Sequence, residues 1–336
     1  MHKEKISILG AGSWGTALAI HLARKGYSPL LWSQRAQLVE EINRTGENSG
    51  YLPGVKIAAE VRASADLEQV VAGSAAVISA VPSHAFREVL QEARRYLRPG
   101  ATLVNAAKGI EEDSLLRVSE VYREITGDTE NFAVLSGPSH AEEVCLAMPT
   151  AVVVASHIPG TAARAQSFLM SSDFRVYTNT DVTGVELGGS LKNVIALGTG
   201  IADGLGFGDN TKAALITRGL AEIARLGVTL GASPLTFAGL AGVGDLIVTC
   251  TSRHSRNRRA GMEIGRGKSL EEALASVRMV VEGVRTTRAA KKMSLLFNVE
   301  MPITEQMHLV LFQGKKPREA VVDLMGRDKK DEMEDI

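Results

Sequence analysis

The sequence has few cysteines and no excess of charge of either sign. Its 336 residues include two cysteines, Cys145 and Cys250, which lie far apart and outside any CxxC spacing. Two isolated thiols do not form a disulfide framework, so we expect a reducing compartment and two buried apolar side chains. The 38 basic residues equal the 38 acidic residues in number. This balance argues against a broad basic surface for nucleic acid or anionic membrane.

Long apolar runs and metal-ligand spacings are also absent. No run of about 18 consecutive apolar residues occurs, so we expect no membrane span. The apolar run that follows residues 1–5 is too short for a signal peptide. The seven histidines show no HxxH or HExxH spacing, which predicts that there is no metal site. These features favour a cytoplasmic protein whose partner is a small molecule.

The first half of the chain alternates between short apolar runs and helix-like stretches. The runs predict strands at residues 6–9, 29–32, 75–81, 101–106, 132–135 and 150–155. Helices are predicted at residues 16–25, ended by Gly26, and 86–97, ended by Pro99 and Gly100. Strands that alternate with helices are typical of a parallel sheet with right-handed crossovers.

The pattern changes after about residue 181, where strand signals become scarce. Helical length and spacing are found at residues 191–197, 213–226, 270–275 and 286–296. The final residues are mostly Lys, Asp and Glu, which is typical of a solvated tail. We therefore predict three parts: an α/β N-terminal Rossmann-type domain with a mostly parallel sheet (1–180), an all-α C-terminal substrate domain (181–327) and a charged tail (328–336).

Gly10, Gly12 and Gly15 form a G-x-G-x-x-G pattern between the first predicted strand and the first predicted helix. In that context the pattern is typical of dinucleotide binding. The glycines allow a tight turn, close approach of the backbone to the pyrophosphate, and close packing of helix on strand. The helix N-terminus offers free N–H groups to the phosphates. A glycine-rich turn without a ligand is the alternative interpretation.

The second predicted strand ends in Trp32, Ser33, Gln34 and Arg35, without an acidic residue. An Asp or Glu usually binds the ribose 2′-OH of NAD at this place in the fold, whereas an arginine accommodates the 2′-phosphate of NADP. We therefore predict that the protein accepts NADP as well as NAD, with Arg35 as the contact. The alternative is that Arg35 is a solvated surface residue.

Longer motifs resemble a known enzyme family. They are GAGSWGTALA at residues 10–19, NAAKGIE at 105–111, LSGPSHA at 135–141, ELGGSLKN at 186–193, GLAGVGD at 239–245, SRN at 255–257 and VVEG at 280–283. In this order, over nearly the whole chain, they resemble bacterial NAD(P)-dependent sn-glycerol-3-phosphate dehydrogenase. The resemblance implies reversible hydride transfer between NAD(P)H and dihydroxyacetone phosphate. The product, sn-glycerol 3-phosphate, would then feed phospholipid synthesis.

Ketone reduction needs a proton donor at the carbonyl oxygen. Lys192 lies in a predicted helix, with Gly188 and Gly189 one turn before it and Ala196 one turn after it. We expect it to rise from a face of small residues where a ligand approaches, and partial burial would lower its pKa toward neutrality. The resemblance implies that Lys192 is the catalytic acid and base. Asp245, after a glycine-rich loop, would orient Lys192 and bind a substrate hydroxyl.

The resemblance also implies the remaining ligand contacts. Lys108 follows a predicted strand at the carboxyl edge of the sheet, where ligands bind in such folds. A hydroxyl, a guanidinium and an amide within the basic stretch 253–259 suit a phosphate. The implied substrate contacts are Lys108, Gly137, Ser139, Lys192, Asp245, Ser255, Arg256 and Asn257. The implied cofactor contacts are Gly10, Gly12, Ser13, Trp14, Gly15, Arg35, Lys108, Ala141, Arg256, Val280 and Glu282.

Several alternatives stay open at the level of sequence. His140 is a second candidate base, because histidine titrates near neutrality. Asp245 is also placed to cap the helix that begins near Leu246. A 3-hydroxyacid or 6-phosphogluconate-type dehydrogenase would share the two-domain pattern, and a non-catalytic NADP(H) sensor would share the glycine loop. A homodimer is plausible for this fold.

Overall fold

We analysed a computed structural model, which describes residues 3–277, 279–329 and 331–332. The described chain divides into two compact units. The first contains the chain up to Ala107 and then Val118–Val182, and the second contains Lys108–Arg117 and the chain from Thr183 onward. The predicted division between residues 180 and 181 lies two residues before the boundary between Val182 and Thr183, and a second difference concerns one internal segment. The segment 108–117, which the sequence places in the first domain, packs with the second unit because Ile110 is buried in the helical core.

The first unit is an α/β layer structure. Its strands are β1 (Ile6–Leu9), β2 (Leu30–Trp32), β3 (Glu47–Asn48), β4 (Leu52–Lys56), β5 (Arg62–Ser64), β6 (Ala76–Ser79), β7 (Thr102–Asn105), β8 (Phe132–Ser136), β9 (Thr150–Ala155) and β10 (Phe174–Asn179). Its helices are α1 (Ser13–Arg24), α2 (Ala36–Thr45), α3 (Leu67–Val71), α4 (Ser83–Ala93), α5 (Val118–Thr126), α6 (Ala141–Cys145) and α7 (Pro159–Leu169).

Eight of these strands form one sheet in the order β10-β9-β8-β7-β6-β1-β2-β5. In its register Ile8 lies between Leu31 and Ile78. The central strands are buried throughout, because a sheet covered on both faces needs apolar side chains on both. The pairing of β8 with β9 is antiparallel and the other neighbouring pairs are parallel. The mostly parallel sheet is thus confirmed, with one reversal that the sequence did not reveal.

The second unit is helical. Its helices are α8 (Val182–Gly204), α9 (Asp209–Thr229), α10 (Pro234–Phe237), α11 (Asp245–Thr251), α12 (Arg256–Gly265), α13 (Leu270–Val277), α14 (Glu282–Leu296), α15 (Pro302–Phe312) and α16 (Pro317–Met325). A π-helical turn, Leu240–Gly244, precedes α11. The predicted all-α character of this part is confirmed. In the charged tail, 330 and 333–336 lie outside the described residues.

Two glycines bring α8 and α12 into direct backbone contact. A Cβ at Gly200 would overlap the carbonyl oxygen of Arg258, and one at Gly261 would overlap the carbonyl oxygen of Leu197. Only residues without a side chain allow two helices to approach so closely. This contact fixes the position of α12 relative to the middle of α8.

One segment of the described chain, residues 234–251, is long and apolar enough by composition to qualify as a membrane-spanning helix. It is not a continuous helix, because the backbone at Gly242 leaves the helical region (φ −96°, ψ −105°). Phe237 and Leu246 of this segment belong to the buried core of the second unit. The segment is therefore a broken core element in this structure.

Candidate active site

Lys192 lies in the middle of α8 and is almost completely buried, with 5% of its surface exposed. Its Nζ donates hydrogen bonds to Oδ1 of Asp245 and, at 2.7 Å, to Oγ1 of Thr249. Burial lowers the pKa of Lys192 to about 7, because the charged ammonium loses its hydration. The charge of Asp245 acts in the opposite direction, and the charge of Lys108 lowers the pKa further.

Asp245 is the first residue of α11 and is 1% exposed. One carboxylate oxygen accepts from Lys192, and the other accepts from Nζ of Lys108 at 2.6 Å. Gly244 occupies the N-cap position, and no side chain caps this helix. The carboxylate is therefore used to bind the two lysines rather than to cap α11.

The small residues before Lys192 have a different role from the expected one. A Cβ at Gly188 would lie 2.6 Å from the carbonyl oxygen of Ala241. The space next to Gly188 is thus filled by the π-helical turn that leads to Asp245. The prediction that this face admits a ligand is corrected at Gly188: its missing side chain lets the backbone before Asp245 approach α8.

Thr249 is a residue that sequence reasoning missed. Its hydroxyl accepts from Lys192 and donates to the carbonyl oxygen of Asp245 at 2.6 Å. It lies four residues after Asp245 on α11, so both side chains share one face. That spacing is the signal that would have identified it once Asp245 was chosen.

Lys108 reaches this cluster from the segment 108–117, which belongs to the second unit. Its side chain is about one-fifth exposed, against the nearly complete burial of Asp245. The structure therefore brings together Lys108, Lys192 and Asp245 within one unit, although they are spread over 137 positions of sequence. Two lysine side chains thus share one carboxylate.

The predicted phosphate residues lie at the N-terminus of α12. Ser255 is the N-cap residue, and its Oγ accepts from the backbone N–H of Arg258. Asn257 donates to Oδ1 of Asn193 at 2.8 Å and accepts from the backbone N–H of Gly283 at 2.9 Å. Because Asn193 follows Lys192 on α8, this contact places the start of α12 against the turn of α8 that carries Lys192. A helix N-terminus favours a bound anion.

The charges of the basic stretch 253–259 are not equivalent. Arg258 forms a two-point ion pair with Asp203 of α8, at 2.6 and 2.7 Å, and Lys212 contacts the other oxygen of that carboxylate at 2.9 Å. Arg256, the first residue of α12, is exposed. Val280 and Glu282, two predicted cofactor contacts, lie at the start of α14, next to the Gly283 that binds Asn257.

In the first unit the glycine loop joins β1 to α1 as expected. Gly10 has φ +103°, and a Cβ there would lie 2.9 Å from the backbone of Ala80. A Cβ at Gly15 would overlap the carbonyl oxygen of Gly10, whereas one at Gly12 would meet nothing within 4 Å. The N-cap residue of α1 is Gly12, which has no side chain to cap the helix. These features fit a dinucleotide pyrophosphate.

The other loop residues are tied to the β3–β4 hairpin. Ser13 donates from Oγ to the carbonyl oxygen of Tyr51 at 2.9 Å. Arg35, at the N-cap position of α2, donates to the hydroxyl of Tyr51 at 2.8 Å. Trp14 packs against the core of this unit. Tyr51 is thus a second residue that the sequence did not reveal, since the hairpin itself was not predicted.

The remaining predicted residues follow β8. Gly137 has φ +124°, and Ser139 donates from Oγ to its carbonyl oxygen at 3.0 Å. Ala141 is the first residue of α6, and His140 occupies the N-cap position. All four belong to the first unit. Among the residues that the structure describes, no group of three or more His, Cys, Asp or Glu is placed to hold a metal ion.

Comparison with known families decides the assignment. A model described as the N-terminus of NAD-dependent glycerol-3-phosphate dehydrogenase matches residues 5–162, and one for the C-terminus matches residues 181–322. The chain belongs to this family. The resemblance inferred from the motifs is confirmed, and the alternative of a 3-hydroxyacid or 6-phosphogluconate-type dehydrogenase is set aside.

Individual relatives agree with the family assignment. Glycerol-3-phosphate dehydrogenase (NAD(P)+) from Pelotomaculum thermopropionicum is 61% identical over 334 residues, which is 99% of this chain and 96% of the relative. The Bacillus subtilis protein of the same name is 53% identical over 335 residues, 99% of this chain and 97% of the relative. A crystal structure of glycerol-3-phosphate dehydrogenase from Coxiella burnetii superposes with a TM-score of 0.94 at 40% identity, covering 97% of this chain and 100% of that one.

Proposed function

We propose that the protein catalyses the reversible reduction of dihydroxyacetone phosphate to sn-glycerol 3-phosphate, with NADPH or NADH. The observation that carries this proposal is the buried cluster of Lys192, Asp245 and Lys108 beside the N-terminus of α12. When bound, the nicotinamide cofactor supplies the hydride. The chain supplies the proton, the phosphate site and the orientation of the substrate.

Lys192 is the proton donor in reduction and the base in the reverse reaction. A pKa of about 7 allows both protonation states near neutral pH, as acid–base catalysis requires. Asp245 and Thr249 accept hydrogen bonds from Nζ and so fix its direction. Asp245 also offsets the loss of hydration of the ammonium, which would otherwise lower the pKa further.

The substrate phosphate is held by the N-terminus of α12 with Ser255, Arg256, Asn257 and Lys108. Free N–H groups, a guanidinium and a lysine are complementary to a dianion. The oxygen of Asn257 accepts from Gly283 and one of its amide N–H groups donates to Asn193, so the second N–H is what Asn257 offers to the phosphate. Gly137 and Ser139 of the first unit are proposed as further substrate contacts.

The cofactor pyrophosphate is held by the loop Gly10, Gly12, Ser13, Trp14 and Gly15, with Ala141. Further proposed cofactor contacts are Lys108, Arg256, Val280 and Glu282. We assign Arg35 to the 2′-phosphate of NADP, supported by its place after β2 and by the absence of an acidic residue there. Its hydrogen bond to Tyr51 holds the guanidinium at the edge of the hairpin.

We also propose that the product serves phospholipid synthesis in the cytoplasm, and that the protein works as a homodimer. Neutral overall charge and two unpaired, buried cysteines support a cytoplasmic enzyme. Sedimentation of the purified protein would test the dimer: a single species with the mass of one chain would contradict it.

The decisive experiment follows NADPH oxidation with dihydroxyacetone phosphate and repeats it with NADH. Lys192→Ala should abolish turnover and leave NADPH binding nearly intact, whereas His140→Ala should retain activity. The reverse result would assign the base to His140. Cofactor binding without turnover in the unmodified protein would indicate a non-catalytic NADP(H) sensor.

Arg35→Gln tests cofactor choice in the same assay. Losing a charge-assisted hydrogen bond to phosphate should raise the KM for NADPH by roughly tenfold to a hundredfold. The KM for NADH should be unchanged. A strong preference of the unmodified protein for NADH would contradict the assignment of Arg35.

A further inference from the structure

Residues 108–117, which we call the 108–117 loop, interrupt the first unit between β7 and α5. The loop closes on itself through a β-bridge between Ile110 and Arg117 and a hydrogen bond from the N–H of Glu111 to the carbonyl oxygen of Leu116. Leu115 has φ +61°, a conformation that is unfavourable for leucine. Such backbone strain persists only where the surrounding contacts fix the conformation.

The loop is fixed to the second unit at its closing end by an ion pair with α8. Nη1 of Arg117 lies 2.8 Å from Oε2 of Glu186, and the side chains are 15% and 4% exposed. Glu186 precedes Lys192 by six residues on the same helix. A second, exposed contact joins Glu112 to α14 through Arg288 at 3.4 Å.

The opening end of the loop carries Lys108, whose Nζ contacts Asp245. Ile110, two residues later, is buried in the helical core and paired to Arg117 across the bridge. The bridge makes the loop a closed unit, so a shift of Arg117 moves Ile110 and, with it, Lys108. One end of the loop therefore contacts α8, which carries Lys192, and the other end contacts Asp245 on α11.

We propose that the Arg117–Glu186 ion pair is a positioning element that sets the place of the Lys108 ammonium beside Asp245 and the substrate phosphate. This inference rests on the proposed role of Lys108 in the site. The contact that matters is the buried pair, because exposed ion pairs contribute little. Removing one partner of a buried pair is more disruptive to folding than replacing both partners by neutral side chains of similar size.

The test is a double-mutant cycle with steady-state kinetics. The pair is neutralised in Arg117→Met/Glu186→Gln, which avoids a lone buried charge and so favours folding. We expect kcat/KM for dihydroxyacetone phosphate to fall by about tenfold to a hundredfold, since small displacements in a site have such effects. Added to Lys108→Met, the same double substitution should lower kcat/KM by less than about threefold, because coupled sites are non-additive.

Two further variants separate positioning from a merely structural role. Arg117→Lys keeps the charge and should retain more activity than Arg117→Met. Arg288→Gln, which removes one exposed contact to the same loop and leaves those of Arg285 and Lys292 with Glu112, should stay within about twofold of the unmodified enzyme. The pH profile gives an independent measure: displacing the positive charge of Lys108 should move the alkaline limb of reduction to higher pH, and Lys108→Met should move it in the same direction.

Three results would overturn the proposal. If Arg117→Met/Glu186→Gln lowered kcat/KM equally in the unmodified and the Lys108→Met background, the ion pair would stabilise the unit in general and would not position Lys108. An unchanged kcat/KM in Arg117→Met/Glu186→Gln would mean that it positions nothing. If Lys108→Met alone left kcat/KM unchanged, Lys108 would have no role in the site. That single variant is part of the cycle, so this result is distinguished from a failure of the ion-pair proposal alone.

Discussion

The carboxylate of Asp245 receives the ammonium of Lys192 on one oxygen, and both side chains are buried inside the helical unit. The second oxygen accepts a hydrogen bond from Lys108, so one carboxylate binds two lysine side chains. The pKa of Lys192 is lower here than that of a lysine in water, because the buried ammonium has lost its hydration and has a like charge nearby, although Asp245 acts in the opposite direction. The predictions on catalysis follow from this relationship.

The two directions of the reaction should depend on pH in opposite ways. Burial brings the pKa of Lys192 to about 7. Reduction needs the protonated amine, so its kcat/KM should fall as pH rises through this value, and oxidation should rise. The charged or titratable groups facing the amine are Asp245, Lys108 and the thiol of Cys250, whose pKa burial raises to about 12. Initial rates from about pH 5 to about pH 9 would check this, and parallel profiles for the two directions would contradict it.

Asp245→Asn should lower both the rate and the pKa of Lys192. Without the carboxylate, two ammonium groups face each other and the buried one loses its proton more readily. We expect kcat for reduction to fall by about a hundredfold or more, with the alkaline limb moved to lower pH. Thr249→Val is the matched control: it removes a neutral hydroxyl, which accepts from Lys192 and donates to the carbonyl oxygen of Asp245, but it leaves every charge in place and should have a smaller effect. An alkaline limb that moves upward in Asp245→Asn would refute this account.

Gly12→Ala and Gly15→Ala should separate ligand binding from stability. A methyl at Gly12 meets no protein atom, and its φ of −76° suits any residue. Gly12→Ala should therefore fold normally and raise the KM for NADPH by about tenfold, equivalent to about 1.4 kcal/mol. Gly15→Ala should instead lower the free energy of unfolding by about 1–3 kcal/mol, because its methyl overlaps the loop backbone. Denaturant unfolding and cofactor titration measure the two effects, and a destabilised Gly12→Ala would contradict the distinction.

Glu222 should make the stability of the protein depend on pH. Its buried carboxyl accepts from the backbone N–H groups of Ile303 and Thr304 at the start of α15, and burial raises its pKa to about 7. The nearby charge of Arg225 opposes this shift. Since the folded pKa exceeds the ordinary value of 4.5, its contribution is complete below that pH and is lost as pH rises through 7.

The comparison with Glu222→Gln isolates that contribution. The free energy of unfolding of the unmodified protein, relative to Glu222→Gln, should fall by about 2–3 kcal/mol between about pH 5 and about pH 8. Urea unfolding at both pH values measures this difference. A constant difference would show that Glu222 keeps one protonation state in the folded protein.

Six of the ten strands could be predicted from sequence, because a doubly covered sheet requires continuous apolar runs; β5 and β10 were not predicted. The runs at Ile6–Leu9 and Thr150–Ala155 correspond to β1 and β9 without change. An apolar run does not specify whether a strand pairs in a parallel or an antiparallel way, so the antiparallel pairing of β9 with β8 could not be predicted. The hairpin of β3 and β4 was missed because its residues are mostly exposed and lack alternation.

The longest difference concerns α8, predicted at residues 191–197 and found at Val182–Gly204. Its glycines lower helix propensity, which shortened the predicted helix. In the folded unit those glycines admit neighbouring backbones, at Ala241 and at Arg258. Tertiary packing thus overrides local preference at the helix that carries Lys192.

The sequence by itself determined the glycine loop, the alternation of strands and helices in the first half, the helical character of the second half and the family motifs, because these depend on local chemistry and spacing. Only the tertiary structure decided that Asp245 is shared by Lys108 and Lys192, that Thr249 joins them, and that the 108–117 loop belongs to the helical unit. These contacts join residues that are distant in sequence, and their geometry depends on how α8, α11 and the loop pack, which no local pattern specifies.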